Sequence, residues 1–170
     1  MKIKSFDVSL ELIPLKTPFI TALRKVQNVE FARVYIYTED GKIGIGEAPA
    51  TKAITNEDTY DIINSIWKIE KYLVNQTLEE GLSILHANCE IGSSAKAAID
   101  MAIISLQAQE QKQELYQFFG ATEVVEMQTD VTISYKPVHE MVEDSRLALK
   151  DGMNILKVKL ADDINHAIKA

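Results

Sequence analysis

The chain has 170 residues, 46% hydrophobic and 25% charged, a balance that fits a folded globular protein and excludes a disordered one. A formal net charge of −7 excludes a nucleic-acid partner, because neutralising phosphates needs a concentrated basic face and the opening KIK is too short to supply one. No apolar run reaches the roughly 18 residues of a membrane span, and the single Cys89 can form no internal disulfide, so a cytoplasmic protein with no membrane partner is expected.

The N-terminal MKIKSFDVSL places Ser5 and Asp7 before any apolar stretch can develop, so no signal peptide is expected. Residues 2–13 alternate apolar and polar in period two, which predicts a strand exposed on one side. Pro14 and Pro18 are expected to break it into a loop. VEFARVYIYT (29–38), the turn EDGK and IGIGEA (43–48) predict a hairpin, giving a small three-stranded antiparallel sheet. In that hairpin Gly44 and Gly46 point to close strand packing, and this context makes Glu47 a poor acid catalyst.

Helices follow. Thr55 stands three residues before Asp58, an acidic variant of the capping box, and Ile62, Ile63, Ile66, Trp67 and Leu73 then mark one face. Thr77 and Glu80 repeat the device ahead of Leu78, Leu82 and Leu85. SSAKAAIDMAIISLQAQ is the strongest helix, with Ala95, Ala98 and Ala102 beside Ile99, Ile103 and Leu106, a mixture of small and large residues that permits close packing. ELYQFFG is a short helix closed by Gly120.

Near residue 125 the pattern changes. MQTDVTIS predicts a strand and KPVHEMVEDSRLALKDG a helix, with Pro137 in its first turn and Gly152 after its end. MNILKVKL predicts a second strand, and Asp162 and Asp163 look like the N-cap of another helix. This β-α-β-α order belongs to a parallel sheet with crossover helices. Two such strands cannot bury both faces, so the segment reads as the opening of something larger.

Alternation puts Ile155, Lys157 and Lys159 on one side of the last strand and Leu156, Val158 and Leu160 on the other. In the preceding strand Asp130, Thr132 and Ser134 share a face, opposite Val131 and Ile133. Two readings fit this spacing: an amphipathic strand with its lysines in water, or polar faces converging at the mouth of a barrel, where chemistry sits at the C-terminal ends of strands. His86, His139 and His166 have no ligand partner at i+4 and are read as surface or interface residues.

The words PFITALR, GIGEAPAT, AITNED, SSAKAAIDMA, TDVTIS and LKVK, in this order and in register over the whole chain, closely resemble the muconate-lactonizing branch of the enolase superfamily. Within that branch they are most similar to dipeptide epimerases of the L-Ala-D/L-Glu type. The resemblance implies an α+β capping domain, a three-stranded antiparallel sheet plus helices, over residues 1–125. Residues 126–170 would then be the first β-α-β of an incomplete (β/α) TIM-type barrel. By position, Lys159 matches the base that exchanges the substrate α-proton on one face, and Lys157 its companion near the substrate carboxylate and the metal. Arg24 matches the arginine that pairs with a glutamate side chain, Thr132 a substrate-contacting position, and the loop around Ile54 and Thr55 the second cap loop over the substrate.

The chemistry suits these residue types. An α-proton beside a carboxylate is weakly acidic, and enolase-superfamily sites pair a Lys or His base with Mg²⁺ that stabilises the developing charge. A lysine acts as a base only when neutral, and neighbouring cations favour that form. Guanidinium binds a carboxylate in a bidentate fork. The carboxylates that hold Mg²⁺ in the family and the second catalytic lysine belong to later strands, so no metal ligand is assigned here and this chain alone is expected to be inactive. Ser105, Ala121 and Ala161 also depart from the family's usual residues. The expected ligand of the complete parent is a small dipeptide, and exposed barrel edges imply self-association. The alternatives are another enzyme of the branch (a cycloisomerase or o-succinylbenzoate synthase) and a non-catalytic truncated remnant or binding module.

Overall fold

A computed structural model describes residues 1–20, 25–160, 165 and 168. The chain forms two compact units, Met1–Ile13 with Val29–Val124, and Pro14–Asn28 with Val125–Ala170. Among the described residues no helix is long and apolar enough to cross a membrane.

The first unit is built on a three-stranded sheet in the order β1 (Ile3–Ile20), β2 (Lys25–Thr38), β3 (Ile43–Pro49). β2 and β3 pair antiparallel, with Tyr35 opposite Ile45 and Tyr37 opposite Ile43. Contrary to the expected break, β1 continues through Pro14 and Pro18 to Ile20. It is an edge strand, and at an edge a proline's missing N–H can face the side with no partner strand. Both β1 and β2 therefore extend beyond the first unit into the second.

A short helix α1 (Lys52–Thr55) precedes α2 (Thr59–Leu73), α3 (Leu78–Ala87), α4 (Ser93–Glu110) and α5 (Leu115–Phe118). Thr55 is not the cap of α2. It ends α1, and Asn56 follows in the left-handed region (φ 59°). Asp58 is the N-cap, accepting the Asp61 N–H while the Asp61 carboxylate accepts the Asp58 N–H, each at 3.0 Å. TNEDTYD holds two overlapping boxes, and the second is used. Thr77 and Glu80 form the expected reciprocal box on α3. The buried face of α2 is Ile62, Ile66, Ile69 and Leu73, and Trp67 sits at its shoulder, 41% exposed.

The core is centred where α4 lies on β3. Ala95, Ala98, Ile99, Ala102, Ile103 and Leu106 are buried there against Ala32, Val34, Ile36 and Ala48. Gly44 and Gly46 make that contact possible: a Cβ at Gly44 would lie 2.2 Å from the Ala102 carbonyl oxygen, and one at Gly46 1.7 Å from that of Ala98. The Gln109 amide donates to the Ile43 carbonyl at 3.0 Å and fastens the far end of the helix. Glu47 is used structurally, as the sequence context implies. It accepts from Arg33 at 2.7 Å, and Arg33 also reaches Glu11 at 2.9 Å. Hydrogen bonds with Tyr35 and Glu47 raise the guanidinium pKa above its usual range.

Three carboxylates in this unit titrate below their ordinary range: Asp58 through the Asp61 N–H and Lys52, Glu80 through the Thr77 N–H and hydroxyl, and Asp40 through the Thr38 hydroxyl. A depressed folded-state value stabilises the fold above the unfolded range, near about pH 4, and the contribution is lost as pH falls through the folded value. Thr77→Ala is expected to cost about 1 kcal/mol at neutral pH. It should also flatten part of the acid limb of a stability profile read by denaturant titration between pH 5 and 3, because Glu80 loses the Thr77 hydroxyl while keeping the backbone N–H. An acid limb as steep as that of the wild type would contradict this.

In the second unit, β4 (Val131–Ile133), α6 (Val138–Lys150) and β5 (Leu156–Val158) form a β-α-β unit with the two strands parallel. Pro137 is the N-cap of α6, and Gly152 follows its end with φ 89°. Met141 of α6 is buried (1% exposed), as is Ile133 of the adjacent β4. The paired strands are shorter than the expected 127–134 and 153–160, because only three residues of each find a partner in this two-stranded sheet. Asp162 and Asp163, expected to cap a further helix, and His166 lie outside the described residues.

Candidate active site

The register of β4 and β5 fixes which residues share a face. Val131 pairs with Leu156, Thr132 with Lys157 and Ile133 with Val158. Paired residues in a parallel ladder project to the same side and neighbours along a strand alternate, so Thr132, Lys157 and Lys159 occupy one face. Val131, Ile133, Leu156 and Val158 occupy the other. The Lys159 N–H donates to the Ile133 carbonyl at 3.0 Å, extending the ladder one step toward the C-terminal end. On the shared face Thr132 and Lys159 are half-buried and Lys157 is exposed.

The C-terminal end of β4 carries a second connection. The Ser134 hydroxyl, itself buried, accepts the Ile20 N–H at 3.2 Å, and the Tyr135 N–H donates to the Ile20 carbonyl at 3.1 Å. The end of β1 is thus clipped beside the lysine-bearing face. Sequence reasoning had placed Ser134 on the polar face without a role, and only long-range contacts show the clip. Arg24 lies four residues past Ile20 and outside the described residues. Ile54 and Thr55 lie on α1 of the first unit, Ile54 80% exposed and Thr55 with its hydroxyl 3.4 Å from the Thr51 carbonyl.

The groove lined by Gln128, Thr129, Met153 and Asn154 sits before the two strands, at their N-terminal ends. Lys159 follows the C-terminal end of β5, the end at which β/α units carry chemistry. That face offers cations and a hydroxyl, and among the described residues no three His, Cys, Asp or Glu side chains cluster to hold a metal. Its residues do not fit a Mg²⁺ site, which needs oxygen ligands with negative charge. Cations and a hydroxyl of this kind can pair with a carboxylate and move a proton.

The mandelate racemase / muconate lactonizing enzyme N-terminal domain matches residues 4–120. This chain belongs to that family. Among curated members it is 49% identical over 168 residues to the L-amino acid-D/L-Glu epimerase of Sulfurimonas denitrificans, covering 99% of this chain and 49% of that protein. It is 36% identical over 173 residues to the L-Ala-D/L-Glu epimerase of Clostridium acetobutylicum, covering 99% and 48%. The substrate-liganded L-Ala-D/L-Glu epimerase of Bacillus subtilis superposes with a TM-score of 0.93 at 35% identity, over 99% of this chain and 48% of that one. A dipeptide epimerase from Enterococcus faecalis, complexed with Mg and L-Leu-L-Tyr, gives 0.91 at 28% identity. This mandelate racemase / muconate lactonizing family chain spans about half the length of the curated relatives it matches.

Proposed function

We propose that this chain is the substrate-recognising cap (residues 1–125) and the first barrel strands (126–170) of a Mg²⁺-dependent dipeptide epimerase that acts in the cytoplasm. Lys159 takes the α-proton of the dipeptide's C-terminal residue on one face. Lys157 sits beside the carboxylate on which charge develops, and Thr132 donates a hydroxyl contact across the register. Arg24 pairs with the side-chain carboxylate of a C-terminal glutamate, and Ile54 and Thr55 close over the ligand. Mg²⁺, which enolase-superfamily sites use to stabilise enediolate charge, is held by residues outside this chain, as is the group that returns the proton on the opposite face.

The observation that carries this reading is the register, which sets Lys157 across from Thr132 with Lys159 next on the same face. It agrees with a relative named an L-amino acid-D/L-Glu epimerase at 49% identity. The test is complementation: this chain is fused to the C-terminal half of the Sulfurimonas denitrificans relative and assayed with Mg²⁺ in D₂O. The expected result is deuterium entering the glutamate α-position of L-Ala-L-Glu, with none from either piece alone. A folded fusion that exchanges no dipeptide α-proton, beside an active intact relative, would overturn the assignment.

A further inference from the structure

Glu57 has no part in that chemistry, yet it is 8% exposed, and among the described residues no other carboxylate is buried to this degree. Its Oε2 accepts the Ser94 N–H at 3.0 Å, the Ser94 hydroxyl at 2.8 Å and the Ser93 hydroxyl at 3.5 Å. Its Oε1 meets no donor among the described residues. The first turn of α4 is therefore capped by a carboxylate from another segment. Its own N-cap, Gly92, supplies no side chain. Gly92 also leaves the space Glu57 fills, since a Cβ there would stand 1.8 Å from Oε1. A buried carboxylate at a helix N-terminus gains from the unpaired N–H groups and the positive end of the helix dipole.

The short helix α1 ends two residues before Glu57. None of its residues is buried. At its C-terminal side the chain turns through the left-handed Asn56 directly into Glu57, and beyond that the Lys52–Asp58 ion pair is solvent-exposed. An exposed pair of this kind contributes little. We propose that Glu57 is a positioning residue that docks α1 onto the first turn of α4 and so holds Ile54 and Thr55 where they meet the substrate. The role given to Ile54 and Thr55 rests on the epimerase reading; the docking contact does not.

Hydrogen exchange on the 170-residue chain tests the docking directly. In Glu57→Ala the amides of Ile54, Thr55 and Asn56, which donate to Thr51 and Lys52 carbonyls, should exchange roughly 10- to 100-fold faster, as expected for losing charge-assisted bonds, while those of Ile99–Leu106 in α4 keep their protection. Glu57→Gln should recover most of the protection, because its carbonyl oxygen accepts the same bonds. If Glu57→Ala destabilises the whole unit, Gly92→Ala keeps the carboxylate and fills its space, and should loosen α1 alone. In the fused enzyme, Glu57→Ala should raise KM for L-Ala-L-Glu several-fold with a smaller change in kcat. Exchange at α1 that is unchanged, or that rises only in step with α4, overturns the proposal. Faster α1 exchange with an unaltered KM upholds the anchor and sinks the substrate role of α1.

Discussion

Lys159→Ala in the fused enzyme is expected to lower the rate of α-proton exchange by about 10²- to 10⁴-fold, the range for losing a positioned general base, with little change in KM. The loss should be one-sided. The epimer whose proton faces Lys159 stops exchanging, whereas the other can still exchange through the opposite base without inverting. Lys159→Arg should be as inactive as the alanine variant, because guanidinium keeps the charge but cannot release its proton near neutral pH. Measuring exchange and inversion separately on L-Ala-L-Glu and L-Ala-D-Glu distinguishes these outcomes. Near wild-type exchange of both epimers by Lys159→Ala would remove Lys159 from the mechanism. Lys157→Ala tests the other proposed role, contact with the substrate carboxylate from a position across from Thr132. It should weaken binding as well as rate.

The largest structural effect is expected at Gly46. Alanine there would drive a methyl group to within 1.7 Å of the Ala98 carbonyl oxygen, and backbone atoms cannot yield as a flexible side chain can. Parting α4 from β3 would open the centre of the core, and a cost of about 3–5 kcal/mol follows. That is a large share of the stability of a typical domain. Gly41→Ala is the control: nothing lies within 4 Å of a Cβ there, so only its positive φ of 80° opposes the change, at about 1–2 kcal/mol. Trp67, the single tryptophan, reports on this unit, and its fluorescence in urea should show the two midpoints well separated. Equal midpoints would mean that the helix can lift off the strand at little cost.

Much of this architecture was legible because its determinants are local. The glycines of IGIGEA and the small residues of SSAKAAIDMA each mark a close approach, and the structure joins them to one another. The Thr77–Glu80 box needs only three residues of separation to be recognised. Thr55 misled because a second box, Asp58–Asp61, overlaps it, and the left-handed Asn56 that separates them carries no distinctive sequence signal. The prolines of β1 misled in another way. Whether a proline breaks a strand depends on which side of that strand is paired, a tertiary fact.

The candidate site divides along the same line. Alternation alone put Lys157 and Lys159 on one face, but only the register with β4 brought Thr132 onto it. Glu57 was passed over because a glutamate in TNED reads as one more acidic residue in a helix start. Its importance comes from Ser94 and Gly92, more than thirty residues away, and no short-range pattern links them.

The two long strands bear on how this protein can be taken apart. β1 leaves the first compact unit after Ile13 and β2 rejoins it at Val29, so Pro14–Asn28 belongs with the residues after Val124. A single cut at 124 or 125 would therefore split the second unit, and the back fragment would lack the Ile20 backbone that Ser134 and Tyr135 grip. Dissection would succeed better by moving Pro14–Asn28 to the back fragment and closing Ile13 to Val29 with a short turn, a rearrangement of connectivity instead of a truncation.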